Sequence, residues 1–331
     1  MLDVYVLGNA LADITYQVPF SFLEENNIKK GLMHLINKEQ QFDLLEKLKS
    51  LPHKTLGGGS AANTAVAVVQ FGGSAFLSCK VANDAEGKLY LEDMTKLGVE
   101  VSSLKDDTSL PTGKCIVLVT PDADRTMTTY LGITENFSTE QLIKDKLCDA
   151  QYLYIEGYLL TSKTAREAVF LAHKWAKENN IKVALSFSDP FLVNVVKEDL
   201  QKLIASGIDL LFCNEQEAIS FTETDSYEGA VSALKGKVGG FALTLGDKGA
   251  VAFDGRNEYF ITSRMVNAID VNGAGDLFAG AFLYGITHDL PFNRAGRLAC
   301  DASSLLVTQY GARILTGQAQ YILSKFQSGG G

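Results

Sequence analysis

Near the end of the chain, residues 270–276 read DVNGAGD, and the apolar run Leu277 to Ile286 follows at once. That run has the look of a helix, so Gly273, Ala274 and Gly275 would present backbone N–H groups at its N-terminus. Such amides form an anion hole that needs no lysine. Asp276 stands beside them, placed to take a proton. An anion hole next to a base is the equipment for phosphoryl transfer to a hydroxyl, where catalysis is mainly the holding of charge in position. The stretch is not a dinucleotide-binding fingerprint, because position 278 would have to be glycine and is Phe278.

Four further stretches carry chemistry, and each also has an ordinary reading. GGGSAANTAVAVVQFGG at 57–73 lets backbone approach a ligand at Gly58 and Gly59 and starts a helix near Ser60. It equally suits a glycine turn before a core helix. It is neither a nucleophile elbow nor a phosphate loop, since Ala62 stands where the former needs glycine and no Gly-Lys-Ser/Thr follows. Asn63, polar among alanines, needs a partner, which a bound hydroxyl or a backbone carbonyl would supply. GNALAD at 8–13 follows the first strand, where open α/β sheets bind ligands, and Asp13 can accept bonds from vicinal hydroxyls or serve as a turn aspartate. NEQE at 214–217 puts Asn214 and Glu217 three apart, a pair suited to a hydrated magnesium ion or to a helix N-cap with first-turn acids. TLGDKG at 244–249, with Thr244, Gly246 and Gly249, reads alone as a hairpin.

The elements that must position these residues alternate. Strands are predicted at Asp3–Leu7, Ala75–Val81, Gln151–Glu156, Lys182–Ser186, Leu210–Asn214 and Gly240–Leu245. Between them fall helices at Ser60–Phe71, Gly87–Leu97, Ser162–Asn179, Asp199–Ser206 and Asp225–Leu234. Continuous apolar strands alternating with helices predict an α/β fold with a doubly wound, mainly parallel sheet. Two segments break the rhythm. Ile14–Ile36 holds short extended pieces, and Gly113–Leu131 reads as a hairpin around the turn PDAD, with an alternation that leaves one sheet face uncovered. Both are expected to form a small β lid, its segments at about 14–36 and 113–131, on a single domain spanning 1–327, with 328–331 (SGGG) as a disordered tail.

Composition narrows the classes. The chain has 331 residues, 46% hydrophobic and 21% charged, with a net charge of −9, which argues against a nucleic-acid partner. No apolar run approaches the roughly 18 residues of a membrane span. The N-terminus lacks a basic region before its apolar stretch, so no signal peptide is expected. Five cysteines without short spacings exclude a zinc cluster or disulfide framework and suit buried thiols in a reducing cytoplasm.

Taken together and in this order, the motifs closely resemble those of the ribokinase-like (PfkB) family of sugar and nucleoside kinases. The resemblance runs from GNALAD to QYGA at 309–312, through a Gly-Gly-x-x-x-Asn segment at Gly58, Gly59 and Asn63 and a D-T-x-G-A-G-D signature at Asp270 to Asp276. NEQE matches the family's N-x-x-E and TLGDKG its T-x-G-x-x-G.

The resemblance implies a ribokinase-like fold, ATP and magnesium as donor and cofactor, and a small-molecule acceptor. Asp276 would be the base and Gly273, Ala274 and Gly275 the anion hole. Asn214 and Glu217 would hold the magnesium waters, with Asn214, Thr244, Gly246 and Gly249 at the nucleotide. Asn9, Asp13, Gly58, Gly59, Asn63, Arg125 and Glu156 would bind the acceptor, Arg125 swinging from the lid over the phosphate or remaining a solvated edge arginine. Asp270 would be structural or help bind a monovalent cation, although Val271 replaces the usual threonine. A homodimer through the lid is compatible with this pattern. GNALADI, Asn272, IEGYLL and SDPF resemble adenosine kinases, bacterial ones included, whereas TLGDKG is closer to ribokinase and fructokinase. Adenosine is thus the first expected acceptor, a free sugar the second, and a non-catalytic sugar or nucleotide sensor a separate class that would not need Asp276.

Overall fold

The computed structural model describes residues 1–31, 33–102, 109–122 and 124–328. Its first strands are β1 (Leu2–Leu7), β2 (Leu11–Gln17), β3 (Met33–Leu35), β4 (His53–Gly58), β5 (Ala75–Ser78), β6 (Glu100–Val101) and β7 (Gly113–Val119). Those that follow are β8 (Arg125–Tyr130), β9 (Ala150–Glu156), β10 (Lys182–Ser186), β11 (Leu210–Asn214), β12 (Phe241–Thr244), β13 (Ala250–Phe253) and β14 (Glu258–Ile261). Nine of them form one sheet in the order β14-β13-β12-β11-β10-β9-β1-β5-β6, parallel except for the antiparallel β12–β13 and β13–β14 pairs.

Every residue of β1 is buried, as expected of a central strand covered on both faces. Val4 and Val6 point into a core with the helices Ser60–Gln70, Ala274–Thr287 and Phe292–Leu306, while Tyr5 and Leu7 point into a second core with Lys163–Glu178 and Lys197–Ala205. From β1 the chain winds first toward β5 and later to β9 on the other side. The carboxyl ends of β1 and β9 therefore flank a topological switch point, where open α/β sheets form their crevice.

The second sheet, in the order β3-β8-β7-β2-β4, contains the expected hairpin, with Val119 opposite Arg125. Ala123 of the PDAD turn lies outside the described residues. One face of this sheet is closed by Leu23, Leu44 and Leu48, from the helices Phe20–Glu25 and Lys38–Leu48, packing on Ile14, Tyr16, Ile116 and Leu118. The segment expected as extended pieces thus also holds a helix, and β2 starts earlier, at Leu11. β4 and the Lys38–Leu48 helix add to the small sheet beyond the two expected segments.

At the C-terminus Ser328 closes the helix Gln318–Ser328 instead of opening a disordered tail, and residues 329–331 lie outside the described residues. Among the described residues, no helix is long and apolar enough to cross a membrane.

Candidate active site

Two helices bring the base and the glycine segment together. Ser60–Gln70 and Ala274–Thr287 cross so closely that a Cβ at Gly280 would overlap Ala67 and the carbonyl of Thr64. The small residues of SAANTAVAVV make that approach possible. Asp276 consequently sits against the first turn of the partner helix. Ser60 Oγ donates to its Oδ1 at 2.6 Å, Asn63 Nδ2 donates to its Oδ2 at 3.0 Å, and Thr64 Oγ1 donates to its backbone carbonyl at 3.3 Å. Burial raises the carboxyl above the usual aspartate range, opposed by the hydrogen bonds from Ser60 and Asn63 and by the charge of Arg313.

The helix carrying Asp276 begins at Gly273, which adopts φ 73° and offers no side-chain cap. A Cβ there would overlap the backbone of Ala312, so glycine is required on both counts. Ala274 and Gly275 then face a cleft of about 750 Å³, also lined by Thr244, Gly246 and Gly249 and by Val266, Val271 and Phe278. The cleft combines the apolar side chains of Val266, Val271 and Phe278 with a helix N-terminus that no side chain caps, a combination suited to a base joined to phosphates.

On the opposite side lies Asp13, midway along β2. Among the described residues nothing donates a hydrogen bond to its carboxylate. Burial foremost, opposed by Arg313 and helped by Asp276, raises it to about 7. Gly58 on β4 must be glycine, since a Cβ would fall on the Asp13 carboxyl group. Gly59 adopts φ 101° as N-cap of the Ser60 helix, where its own Cβ would overlap the carbonyl of Asn9.

Asn9 and Glu156 lie beneath the crevice, 7% and 1% exposed, at the ends of β1 and β9. Their bonds are to the scaffold: Asn9 Nδ2 donates to Glu156 Oε1 at 3.0 Å, and the amide of Ala61 donates to Glu156 Oε2 at 2.8 Å. Burial holds the Glu156 carboxyl at about 7. Asn214 and Glu217 form a reciprocal capping box at the start of the helix Glu215–Thr222, with three mutual hydrogen bonds of 2.8–2.9 Å. Burial again dominates at Glu217 and raises it to about 7.

Arg125 is not a solvated edge residue. Its Nη2 lies 2.7 Å from Asp270 Oδ2, and its guanidinium stands 5.8 Å from the Tyr310 ring centroid. Asp270 also accepts from the amides of Asn272 at 3.1 Å and Gly311 at 2.7 Å. Both its oxygens are therefore engaged.

One residue of the site escapes a reading by motif. Arg313 Nε donates to Asn63 Oδ1 at 2.9 Å, its Nη1 donates to Asp93 Oδ2 at 3.1 Å, and its Nη2 donates to the carbonyl of Gly57. Its only signal in the sequence is a charge within GARIL, two residues after Gly311.

Residues 32–318 match the pfkB family of carbohydrate kinases. The chain belongs to that family. It is a kinase, a phosphotransferase with an alcohol group as acceptor, and its fold is ribokinase-like. The crystal structure of adenosine kinase from Sinorhizobium meliloti superposes on this kinase with a TM-score of 0.90 at 32% identity, covering 98% of this chain and 99% of the other. A probable sugar kinase from Rhizobium etli CFN 42 gives a TM-score of 0.90 at 34% identity, covering 98% of both chains. The adenosine kinase of Saccharomyces cerevisiae is 29% identical over 306 residues, 85% of this chain and 88% of its own length.

Proposed function

We propose that this kinase transfers the terminal phosphoryl group of ATP to a primary hydroxyl of a nucleoside, adenosine first. The observation that supports the reading is that Asp276 directly follows Ala274 and Gly275, which line the cleft, while its carboxylate accepts from Ser60 and Asn63, on the helix entered from Gly58 beside Asp13. The cleft carries the N-terminus of the Asp276 helix, which no side chain caps, and the Asp13 carboxylate accepts no hydrogen bond among the described residues. A hydroxyl seated between the two carboxylates gives its proton to Asp276 as its oxygen attacks phosphorus. The amides of the Gly273–Gly275 turn receive the charge of the transferring group. Asp13 grips a vicinal diol and so fixes which hydroxyl is presented.

The surroundings of Asp13 favour a nucleoside over a free sugar. Cross-strand partners share a face, which puts Leu56, Cys115, Val117, Met127 and Met33 on the Asp13 side of the small sheet. Leu56 is 41% and Met33 37% exposed, offering an apolar platform to a flat ring, whereas a free sugar presents hydroxyls throughout. The small sheet then acts as a lid that excludes water from the transfer.

Magnesium fits this site as a hydrated ion. Among the described residues no group of three His, Cys, Asp or Glu side chains forms a cage, and Glu217 retains acceptor capacity beyond its bonds to Asn214. Asn214 and Glu217 would hold its waters, and the ion would neutralise phosphate charge.

The test is an acceptor screen with ATP and magnesium over nucleosides, pentoses and hexoses. Adenosine should lead and 2′-deoxyadenosine should be a poor acceptor. A free sugar outpacing every nucleoside would transfer the reading to a sugar kinase.

A further inference from the structure

We infer that Arg313 is a positioning residue for the base: it fixes the side-chain amide of Asn63 so that its NH2 group, and not its oxygen, faces Asp276. A guanidinium only donates, so the atom of Asn63 that meets Arg313 Nε at 2.9 Å must be the carbonyl oxygen. The amide nitrogen is thereby turned to Asp276 Oδ2, 3.0 Å away. Without Arg313 the amide keeps only its bond to Asp276, and its carbonyl oxygen loses the donor that fixes the plane and reach of the side chain.

Arg313 is itself held rigidly, with its side chain 14% exposed. Asp93 Oδ2 accepts from Arg313 Nη1 and also from the amide of Gly57, both at 3.1 Å, while the carbonyl of Gly57 accepts from Nη2. One fork thus ties the helix Ala85–Lys96, the strand that ends at Gly58 beside Asp13, and the helix of Asn63. The turn that carries Arg313 also presses on the anion loop, because Ala312 packs on Gly273 and the Gly311 amide donates to Asp270. The guanidinium charge acts in the same sense, lowering both Asp276 and Asp13 against their burial.

This assignment rests on Asp276 being the base, and the experiment separates the two. The rate of ADP formation from ATP, magnesium and adenosine is measured from pH 5 to 9 for wild type, Arg313→Met, Arg313→Lys and Asp276→Asn. In Arg313→Met the acid limb of the kcat profile should move up by about one pH unit, the lower end of what a neighbouring opposite charge supplies, and the plateau should fall. Arg313→Lys should return the limb toward its wild-type position without restoring the plateau, because a lysine keeps the charge and loses the fork. A limb unmoved in Arg313→Met but abolished in Asp276→Asn overturns the role of Arg313 alone. A wild-type plateau in Asp276→Asn overturns the base and Arg313 together. Should Arg313→Met fail to fold, Arg313→Lys decides: a wild-type plateau in that variant contradicts the proposal.

Discussion

The guanidinium of Arg125, on the small sheet, lies 2.7 Å from the carboxylate of Asp270, at the head of the anion loop. The pair joins the sheet expected to cover the acceptor to the segment expected to receive the phosphate. It also places a fixed cation where the resemblance suggested a monovalent ion.

Activity should accordingly be indifferent to potassium, with equal rates in potassium and tetramethylammonium salts at constant ionic strength. Arg125→Ala leaves a buried carboxylate short of a counter-charge, so it should lose at least about tenfold in kcat and regain part of it with potassium. A wild-type enzyme stimulated severalfold by potassium would show that Arg125 does not supply that charge.

Asp13→Ala should raise the KM for adenosine roughly 10- to 100-fold with ATP binding unchanged, since a charge-assisted bond is worth about 1.5–3 kcal/mol. Gly58→Ala should do the same without removing the carboxylate, because the added methyl group takes its space. Steady-state kinetics with each substrate varied in turn separate these effects. A Gly58→Ala enzyme with a wild-type KM would mean that Asp13 need not stand where it does.

Glu217→Gln should raise the magnesium concentration for half-maximal rate several-fold, one charge of the hydrated-ion site being gone. An unchanged titration would leave Glu217 as the third residue of a helix cap and nothing more.

Burial also predicts a pH dependence of stability. The Glu156 carboxyl has an ordinary value of 4.5 and is raised to about 7, so the folded protein holds its proton longer than the unfolded chain does. Stability contributed by the protonated group is present at low pH and is lost as pH rises from about 4.5 to about 7, by a few kcal/mol at most. Asp13 and Glu217 act in the same direction. Thermal unfolding of ligand-free protein should therefore show a steeper fall in wild type than in Glu156→Gln across that interval. Parallel curves would mean that Glu156 ionises as readily in the fold as outside it.

How much of this was legible in the sequence depended on whether local geometry dictated the residue. Gly58, Gly59 and Gly273 could be read because side chains or backbone fill the space a Cβ would need, and such positions write glycine into the chain. The central strands were legible as continuous apolar runs. β4 was not, because His53–Leu56 are mostly exposed and lack apolar alternation. The helix Lys38–Leu48 carried a readable sign, the capping box of Asn37 and Gln40, in a stretch for which no element was expected. Arg313 could not be found locally, since its partner Asn63 is 250 residues away in the chain and only the fold brings them together. The pairing of Arg125 with Asp270 was hidden for the same reason.

The proposed mechanism depends above all on Asp276 taking the acceptor's proton. Asp276→Asn is suited to testing it, because an asparagine can keep both contacts: its oxygen can accept from Asn63, and the Ser60 hydroxyl can accept from its NH2 group. Calorimetry for ATP and adenosine, beside turnover of the same preparation, is the measurement. Binding of both should be near normal while kcat falls by at least about 10²-fold. A variant that binds both and turns over at the wild-type rate would contradict the mechanism.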